Sequence, residues 1–403
     1  MGDTSKLLSR RRFLHLSGSA TLVGMIDSHP LLSAQRVKAK RPNILFVIVD
    51  DMRPDLGCYG NSVIKTPHID SVAARGVVFQ HAYCQQAMCN PSRASVLTGK
   101  RPDTIGVWDQ STHIRKNQKN IVTLPQYFKK KGYKSVGIGK VFHPQLEDPP
   151  SWSVEKPQLK NKNIYVSPDT LSRQTARVFA AKALGKSDSW INTIMRGPAV
   201  ESCDAPDSDY LDGAVTEAAL KKLKGFSGKY PFFLAVGYYK PHLPFVAPKK
   251  YWDLYKTDEI PLATNNFPPK DAPPFAINDM FELACYEGYA QIPKATEGAL
   301  PEAKARILKH GYYACVSFID AQIGRLLTEL DRLRLRENTI VVIWGDHGWK
   351  LGEHRSWCKQ TNYEIDTRSP LIISSPQAQA QGRSSPGLVE LVDLYPSLCE
   401  LAG

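Results

Sequence analysis

The sequence predicts an α/β fold in which a large, mostly parallel central sheet carries helices on both faces. Residues 43–49, 231–238 and 339–344 are continuous apolar runs, of the kind found in parallel strands that are covered on both sides. Segments with a helical spacing of apolar residues separate these runs. Because strand and helix patterns alternate along the chain, the sheet should be doubly wound.

The first half of the chain supplies the early strands and helices. Proline suits the first turn of a helix, so a helix should begin at Pro67, with Thr66 as its cap and Gly76 at its end. The further elements expected here are a strand over 77–83, a helix that begins near Cys89, a helix over 124–131 and a strand over 135–138.

The second half mixes long irregular segments with clear elements. Residues 145–230 are rich in Pro, Ser, Lys and Asp and have weak periodicity, so we expect a loop-rich insertion with one helix near 213–223. Residues 246–300 should also be mostly loops. Apolar residues with helical spacing predict a long amphipathic helix over 311–333. The remaining expected elements are a strand over 370–374 and a helix over 388–401.

Length and charge limit the classes of protein. The chain has 403 residues, 42% of them hydrophobic, which suits one large globular domain or two smaller ones. Its formal net charge is +13, and +11 remains when residues 1–34, with four Lys or Arg and two Asp, are left out. Such a charge attracts nucleic acid, anionic lipid or acidic carbohydrate. No basic helix or aromatic-studded sheet indicates nucleic acid, and no run of about eighteen apolar residues predicts a transmembrane helix.

The N-terminus has the features of an export signal. Arg10-Arg11-Arg12 is followed by a weakly apolar stretch to Ile26 and by small residues near position 34. This combination is typical of a twin-arginine signal peptide, whereas the alternative is a disordered basic tail. We therefore expect residues 1–34 to direct a folded bacterial protein through the Tat translocon, to the periplasm or outside the cell. Residues 35–403 would then form the mature domain.

One cysteine stands in an unusual setting. Cys89-Asn90-Pro91-Ser92-Arg93 has no second cysteine two residues away, as a metal clip or a redox pair would have. Pro91 places Cys89 at a helix N-terminus, where free N–H groups and the helix dipole favour an anion. Arg93 adds a permanent charge one turn later. A buried structural cysteine is the alternative. The other seven cysteines fit no zinc template and are expected to be mostly buried thiols.

Polar pairs follow two of the buried strands. Asp50-Asp51 follow the run 43–49, and Asp346-His347 follow the run 339–344. Open α/β sheets bind ligands at the carboxyl ends of their strands. Adjacent carboxylates repel each other unless a cation lies between them. From the residues themselves, a cation site and a solvated strand end both remain open.

The run C-x-P-S-R at Cys89, followed by Thr98-Gly99-Lys100-Arg101-Pro102, resembles the modification motif of the type I sulfatases. In that family a formylglycine-generating enzyme oxidises the cysteine, and the hydrated aldehyde is the nucleophile. Residues 139–144 and 240–245 are similar to the iduronate-2-sulfatase subfamily, as is Asp346-His347, where many sulfatases have Asp-Asn. The resemblance covers residues 43 to about 403 and implies an alkaline-phosphatase-like sulfatase fold.

The resemblance also implies a set of site residues. The implied calcium ligands are Asp50, Asp51, the modified Cys89, Asp346 and His347. The implied catalytic residues are Cys89, Arg93, Lys140, His143, His242 and Lys359. In this set Arg93 would steady the formylglycine hydrate, and the two lysines would bind sulfate. His242 would protonate the leaving sugar oxygen, and His143 would assist the release of sulfate.

The reaction that the resemblance implies is hydrolysis of a sulfate ester in a sulfated glycan, with a 2-O-sulfate on a uronic acid as the substrate of the subfamily. The family's smaller C-terminal subdomain has no counterpart before residue 403, so we expect it to be absent or truncated and the sugar specificity to be loose. Two alternatives remain. One is a phosphodiesterase or phosphonate monoester hydrolase of the alkaline phosphatase superfamily. The other is an inactive carbohydrate-binding homologue in which Cys89 stays unmodified.

Overall fold

The strands and helices alternate along most of the chain. A computed structural model describes residues 41–161, 163–194, 196–226, 228–376, 378 and 381–403, and the export signal expected over 1–34 lies outside these residues. The strands described are β1 Asn43–Val49, β2 Val77–Tyr83, β3 Lys134–Gly139, β4 Val200–Cys203, β5 Phe232–Tyr238, β6 Phe245–Pro248, β7 Thr339–Gly345, β8 Lys350–Leu351, β9 Trp357–Cys358, β10 Leu371–Ser374 and β11 Arg383–Glu390. The α-helices described are α1 Pro67–Ala74, α2 Cys89–Thr98, α3 Pro102–Ile105, α4 Ile114–Asn117, α5 Leu124–Lys130, α6 Pro168–Ala183, α7 Asp188–Ile194, α8 Leu211–Lys224, α9 Lys249–Trp252, α10 Phe281–Ala284, α11 Glu302–Arg332, α12 Glu364–Thr367 and α13 Leu394–Leu401.

The central sheet is mostly parallel, which confirms the fold class expected from the sequence. Within the described chain it has seven strands, in the order β11-β2-β10-β7-β1-β5-β3. All of its neighbouring pairs are parallel except those of β10, which runs antiparallel to both β2 and β7. The central strand β1 is buried along its whole length, as its continuous apolar sequence predicts.

Helices cover both faces of this sheet. Side chains of a strand point alternately to its two faces, so β1 contributes to two apolar cores. Leu45 and Val47 pack in one core, together with side chains of α1, α8 and α11. Ile44 and Phe46 pack in the other, together with side chains of α2, α5 and α13. Burial of one such side chain stabilises the fold by about 1.5–3 kcal/mol, which fixes the strand firmly between its two layers.

The first expected helix is present as α1, but its expected cap is wrong. Thr66 occupies the N-cap position without capping the helix, and its hydroxyl accepts a hydrogen bond from Gly57 N at 3.0 Å. The carboxylate of Asp320 on α11 instead accepts hydrogen bonds from Ile69 N at 2.7 Å and from His68 N at 3.2 Å. The cap therefore comes from a residue that is distant in sequence.

Several expected element boundaries are also wrong. Residues 145–230, which the sequence predicts as loops with a single helix, also contain α6, α7 and β4. The long helix α11 begins at Glu302 rather than near 311. Residues 388–401 are not one helix, because β11 ends at Glu390 and α13 begins at Leu394. Among the described helices, none combines the length and the apolar character that a membrane span requires.

Candidate active site

Four neighbouring strands supply most of the predicted site residues. β7, β1, β5 and β3 are parallel neighbours, so their carboxyl ends lie at one edge of the sheet. Asp346-His347 follow β7, Asp50-Asp51 follow β1, His242 lies after β5, and Lys140 follows β3. Asp51 N donates a hydrogen bond to Asp346 Oδ1 at 3.1 Å, which joins the first two pairs directly. The structure thus brings together both strand-end pairs and two residues of the expected sulfate pocket.

Cys89 is the first residue of α2 and is almost completely buried, with 1% of its surface exposed. Its Sγ lies 3.3 Å from His347 Nε2, 3.6 Å from Lys359 Nζ and 3.8 Å from Lys140 Nζ. Burial and the nearby carboxylate of Asp50 raise the pKa of the thiol. At neutral pH the unmodified thiol is therefore protonated, and a protonated thiol is a weak nucleophile.

Arg93 connects the ends of three strands. Its Nε donates to Asp346 Oδ2 and its Nη2 to Asp50 Oδ1, both at 2.8 Å. Its Nη1 donates to the carbonyl oxygens of Lys140 and Val141. Arg93 lies one turn after Cys89 on α2, so the same helix positions the cysteine and the cation that aligns the surrounding carboxylates.

Two buried lysines pair with the carboxylates after β1. Lys140 forms an ion pair with Asp50, and Lys359 Nζ lies 2.7 Å from Asp51 Oδ1. Burial by itself would raise the pKa of Asp50, but Lys140 and Arg93 bring it well below its ordinary value. The pKa of Asp51 stays raised, because burial outweighs the attraction of Lys359. The positive charge near Asp51 therefore does not fully offset the cost of burying its carboxylate.

The described chain contains residue groups that could hold a metal ion. In each group the candidate ligand atoms lie within 4.8 Å of one another. The groups are Asp51, Cys89 and His347; Asp50, Cys89 and Asp346; and Asp50, Asp51 and His242. Oδ2 of Asp51 is buried without a hydrogen-bond partner, which is costly for a carboxylate oxygen. A cation at this place would satisfy that oxygen and further offset the negative charge of the buried carboxylates.

The ring of His347 is oriented for metal binding. Its Nδ1 lies 2.9 Å from Gly348 O. A carbonyl oxygen only accepts hydrogen bonds, so Nδ1 is the donor in this contact, and in the neutral ring Nε2 has the lone pair that a metal would need. Nε2 faces Asp51 Oδ1 at 3.4 Å as well as Cys89 Sγ. Metal-binding histidines are typically fixed in this way by a carbonyl on the other nitrogen.

Glu282, in the short helix α10, is a site residue that sequence reasoning missed. Its Oε1 lies 3.0 Å from His242 Nε2, and its Oε2 lies 3.6 Å from Lys359 Nζ. Burial would raise the pKa of Glu282, but Lys359 and His242 bring it below its ordinary value. The other nitrogen of His242, Nδ1, lies 2.6 Å from Leu243 O. Both ring nitrogens of His242 therefore face acceptors, an arrangement that an imidazolium satisfies fully.

Two buried charged residues fix the turn that carries His242. Asp212, in α8, accepts hydrogen bonds from Tyr239 N at 2.7 Å and from Lys240 N at 3.1 Å. Nζ of Lys240 donates to the carbonyl oxygens of His242 at 2.7 Å and Pro244 at 2.6 Å. The turn is thus held from both sides, which keeps the imidazole in place beside Glu282.

A cavity of about 420 Å³ opens at this edge of the sheet, and Asp50, Lys140, His143 and His242 line it. Its size is in the range of small-molecule sites. The ring of His143 makes no described hydrogen bond to Cys89, and its Nδ1 is buried without a partner. Burial, together with Lys140, lowers the pKa of His143 to about 4. His143 is therefore neutral at pH 7.

Comparison with known proteins decides the family. The family model described as Sulfatase matches residues 42–403. The chain belongs to the sulfatase family. This sulfatase is 38% identical to iduronate 2-sulfatase of Mus musculus and 37% identical to iduronate 2-sulfatase of Homo sapiens, over 393 residues in each case. The alignments cover 90% of this chain and 68% and 69% of those relatives.

Solved structures share the fold of this sulfatase at low sequence identity. A structure with bound D-glucosamine-2-N,6-O-disulfate has a TM-score of 0.68 at 22% identity, covering 90% of this chain and 77% of that one. The phosphonate monoester hydrolase of Agrobacterium radiobacter has a TM-score of 0.65 at 20% identity, covering 90% and 74%. At these identities the likeness concerns the fold alone. It confirms the expected alkaline-phosphatase-like sulfatase fold, while family membership makes the protein a sulfate ester hydrolase.

Proposed function

We propose that this sulfatase removes sulfate from a sulfated, uronic-acid-containing glycan, with a formylglycine derived from Cys89 and a calcium ion in its site. The observation that carries the proposal is the convergence of Cys89 with the carboxylates and lysines at one edge of the sheet. The raised pKa of the Cys89 thiol supports conversion, because a protonated thiol would be a poor nucleophile toward an anionic ester. The similarity to two iduronate 2-sulfatases supports the substrate class.

The donor set fits calcium once Cys89 is converted. Calcium prefers six to eight oxygen ligands, and thiolates suit softer metals. Asp50, Asp51 and Asp346 provide carboxylate oxygens, and His347 adds a nitrogen. The oxygens of a formylglycine hydrate would replace the sulfur of Cys89 in this set. When bound, the calcium ion would offset the negative charge of the sulfate ester and favour the ionised form of the nucleophile.

Residues of the chain would bind the sulfate, orient the carboxylates and transfer protons. Lys140 and Lys359 flank the Cys89 side chain, so they would bind the sulfate oxygens and offset the charge that repels a nucleophile. Arg93 holds Asp50 and Asp346 in their orientation. His242 would donate the Nε2 proton to the leaving sugar oxygen, and neutral His143 would accept a proton as sulfate is released.

The N-terminal signal suggests how such an enzyme is made. Residues 1–34 would direct export by the Tat translocon, which carries folded proteins to the periplasm or beyond. Before this export, a formylglycine-generating enzyme would convert Cys89 in the cytoplasm. A scavenging role on environmental sulfated polysaccharides agrees with the formal net charge of +11 that remains without residues 1–34, since such a charge attracts polyanions.

The reaction class is tested with esters that share one leaving group. The purified protein is given 4-nitrophenyl sulfate, a 4-nitrophenyl phosphodiester and a 4-nitrophenyl phosphonate, and kcat/KM is measured for each. We expect the sulfate to have the highest kcat/KM. Faster turnover of the phosphodiester or the phosphonate would assign the protein to the alternative hydrolases of the same fold. Release of sulfate from heparin, dermatan, carrageenan and fucoidan oligosaccharides would then narrow the glycan.

A further inference from the structure

Arg196 is a cation in the active-site cavity that the mechanism above does not use. It follows α7 and precedes β4, and it lines the cavity that Lys140 and His242 also line. Its Nη1 lies 3.1 Å from Tyr286 Oη, and its guanidinium carbon lies 5.1 Å from the centre of the Tyr286 ring. Arg196 thus reaches the cavity from the connection between α7 and β4.

The backbone at Arg196 is held in place. Glu287 N donates a hydrogen bond to Gly197 O at 3.0 Å, and Pro198 forms an isolated parallel bridge with Glu287. A Cβ at Gly197 would lie 2.7 Å from the Tyr165 ring, so the segment packs too closely for a side chain there. A guanidinium on a fixed backbone loses little entropy when it binds a ligand.

Arg196 makes no ion pair with any carboxylate of the described chain. Glu287, whose backbone hydrogen-bonds the residue after Arg196, pairs with Arg177 at 3.1 Å and with Arg173 at 3.6 Å instead. Arg196 lines the same cavity as Lys140 and His242, so its charge lies in the cavity that contains the expected sulfate pocket. A half-buried guanidinium of this kind is suited to bidentate binding of a carboxylate or a sulfate.

We propose that Arg196 is a specificity residue that binds a second anionic group, a carboxylate or a neighbouring sulfate, on the sugar whose sulfate ester faces Cys89. This inference rests on the proposed function and names the feature by which the site selects its substrate. The phenol of Tyr286 would hold the guanidinium in the orientation that meets this group. Simple sulfate esters without a second anion would lack this contact.

The test compares Arg196→Gln with the wild-type protein on matched pairs of substrates. One pair is a uronate 2-sulfate glycoside and its carboxyl methyl ester, and the other is a hexosamine disulfate and the corresponding monosulfate. We expect Arg196→Gln to lower the dianion-to-monoanion ratio of kcat/KM by roughly 10- to 100-fold, because a charge-assisted contact is lost. The pair in which this happens identifies the group as a carboxylate or as a sulfate.

A control variant and a binding measurement complete the experiment. Arg173→Gln removes the same charge from α6, where Arg173 pairs with Asp169 and Glu287 outside the cavity, and should keep the wild-type ratios. Binding of the same pairs to Cys89→Ala protein, with and without Arg196→Gln, is measured by calorimetry and does not depend on turnover. If Arg196→Gln lowers kcat/KM equally for both substrates of each pair, or for none of them, the proposal is overturned. If the wild type releases no sulfate but binding of the dianion still depends on Arg196, the role of Arg196 is supported and the proposed function is contradicted.

Discussion

At the scale of single residues, Glu282 is expected to position His242 and Lys359 without touching the reacting atoms. Glu282→Gln removes a negative charge 3.0 Å from His242 Nε2 and 3.6 Å from Lys359 Nζ. Outer partners of this kind typically change activity by about 10- to 100-fold. We expect kcat for sulfate release to fall by roughly that factor, with a smaller change in KM.

The controls for Glu282 separate charge from shape. Glu282→Asp keeps the charge and should recover part of the lost kcat. Glu297→Gln removes an exposed carboxylate from the same loop-rich segment, where it lies 3.9 Å from Lys294, and should behave as wild type. Unchanged kcat in Glu282→Gln would show that His242 and Lys359 need no such partner.

Asp346 is expected to be required for calcium binding and turnover. Asp346→Asn removes a carboxylate from the candidate metal group and an ion pair from Arg93. A ligand that binds only the folded state stabilises it, so added calcium should raise the Tm of the wild-type protein and not that of the variant. Scanning fluorimetry with calcium or with EGTA measures this, and Asp253→Asn, an exposed carboxylate paired with Lys249, serves as the control. An equal rise in Asp346→Asn would contradict the assignment.

The strand-end residues could be predicted from the sequence, whereas Glu282 and Arg196 could not. Asp50 and Asp346 each follow a long apolar run. Neighbouring parallel strands bring the residues that follow them to the same edge of the sheet, independently of the paths of the loops. Glu282 lies in the irregular segment 246–300, whose path depends on tertiary packing. Its sequence signal is limited to an acidic residue between Phe281 and Leu283.

At the scale of elements, the contact between β3 and β5 positions Lys140. Lys140 N donates to Gly237 O at 2.8 Å, and a Cβ at Gly237 would overlap the carbonyl of Lys140. Overpacking of this kind costs about 1–3 kcal/mol. We expect Gly237→Ala to lower the free energy of unfolding in urea by about that amount and also to lower kcat. Gly225→Ala is the control, because the atom nearest to the added Cβ would lie 3.5 Å away; it should change neither the free energy of unfolding nor kcat. If Gly237→Ala also changes neither quantity, the close contact between β3 and β5 is not needed for stability or for the position of Lys140.

The cap of α1 by Asp320 should make stability depend on pH. Burial, opposed by hydrogen bonds from Ile69 N and His68 N, raises the pKa of Asp320 to about 7. Between about pH 4 and 7 the folded state keeps a proton that the unfolded chain releases, so this contribution to stability is lost as pH rises. The free energy of unfolding of the wild type, relative to Asp320→Asn, should therefore fall by roughly 4 kcal/mol over this range.

Urea unfolding of both proteins at several pH values measures this difference. Asp258→Asn, which removes an exposed carboxylate instead of a buried one, is measured in parallel as the matched control. If the difference in free energy of unfolding between the wild type and Asp320→Asn stays constant from pH 4 to 8, the raised pKa of Asp320 is contradicted.

Elements that the core determines were easier to predict than elements at the surface. The strands β1, β5 and β7 lie between two apolar layers, which forces continuous apolar sequences on them. On α6 the buried side chains are Thr170 and Ala181, so no clear apolar stripe identifies it. The helix expected over 388–401 begins at Leu394, which leaves Pro396 in the first turn where proline is tolerated. The residues before it form β11 at the edge of the sheet.

At the scale of the whole molecule, the sheet order makes the site. Because β7, β1, β5 and β3 are neighbours, residues nearly three hundred positions apart, such as Asp51 and Asp346, come into direct contact. The sequence predicted a parallel sheet and the residues at its strand ends, but not this order, which depends on contacts between distant segments. The α6–α7 segment then closes one side of the cavity and adds Arg196 to it.

The central claim is that Cys89 is converted to the nucleophile of a sulfatase. The most direct measurement is mass spectrometry of the peptide that contains Cys89, from protein made in its native host, combined with sulfate release by the same preparation. The account predicts a peptide in which an aldehyde, or its hydrate, has replaced the thiol, and sulfate release in proportion to the converted fraction. A fully unmodified thiol in a preparation that hydrolyses sulfate esters would contradict it.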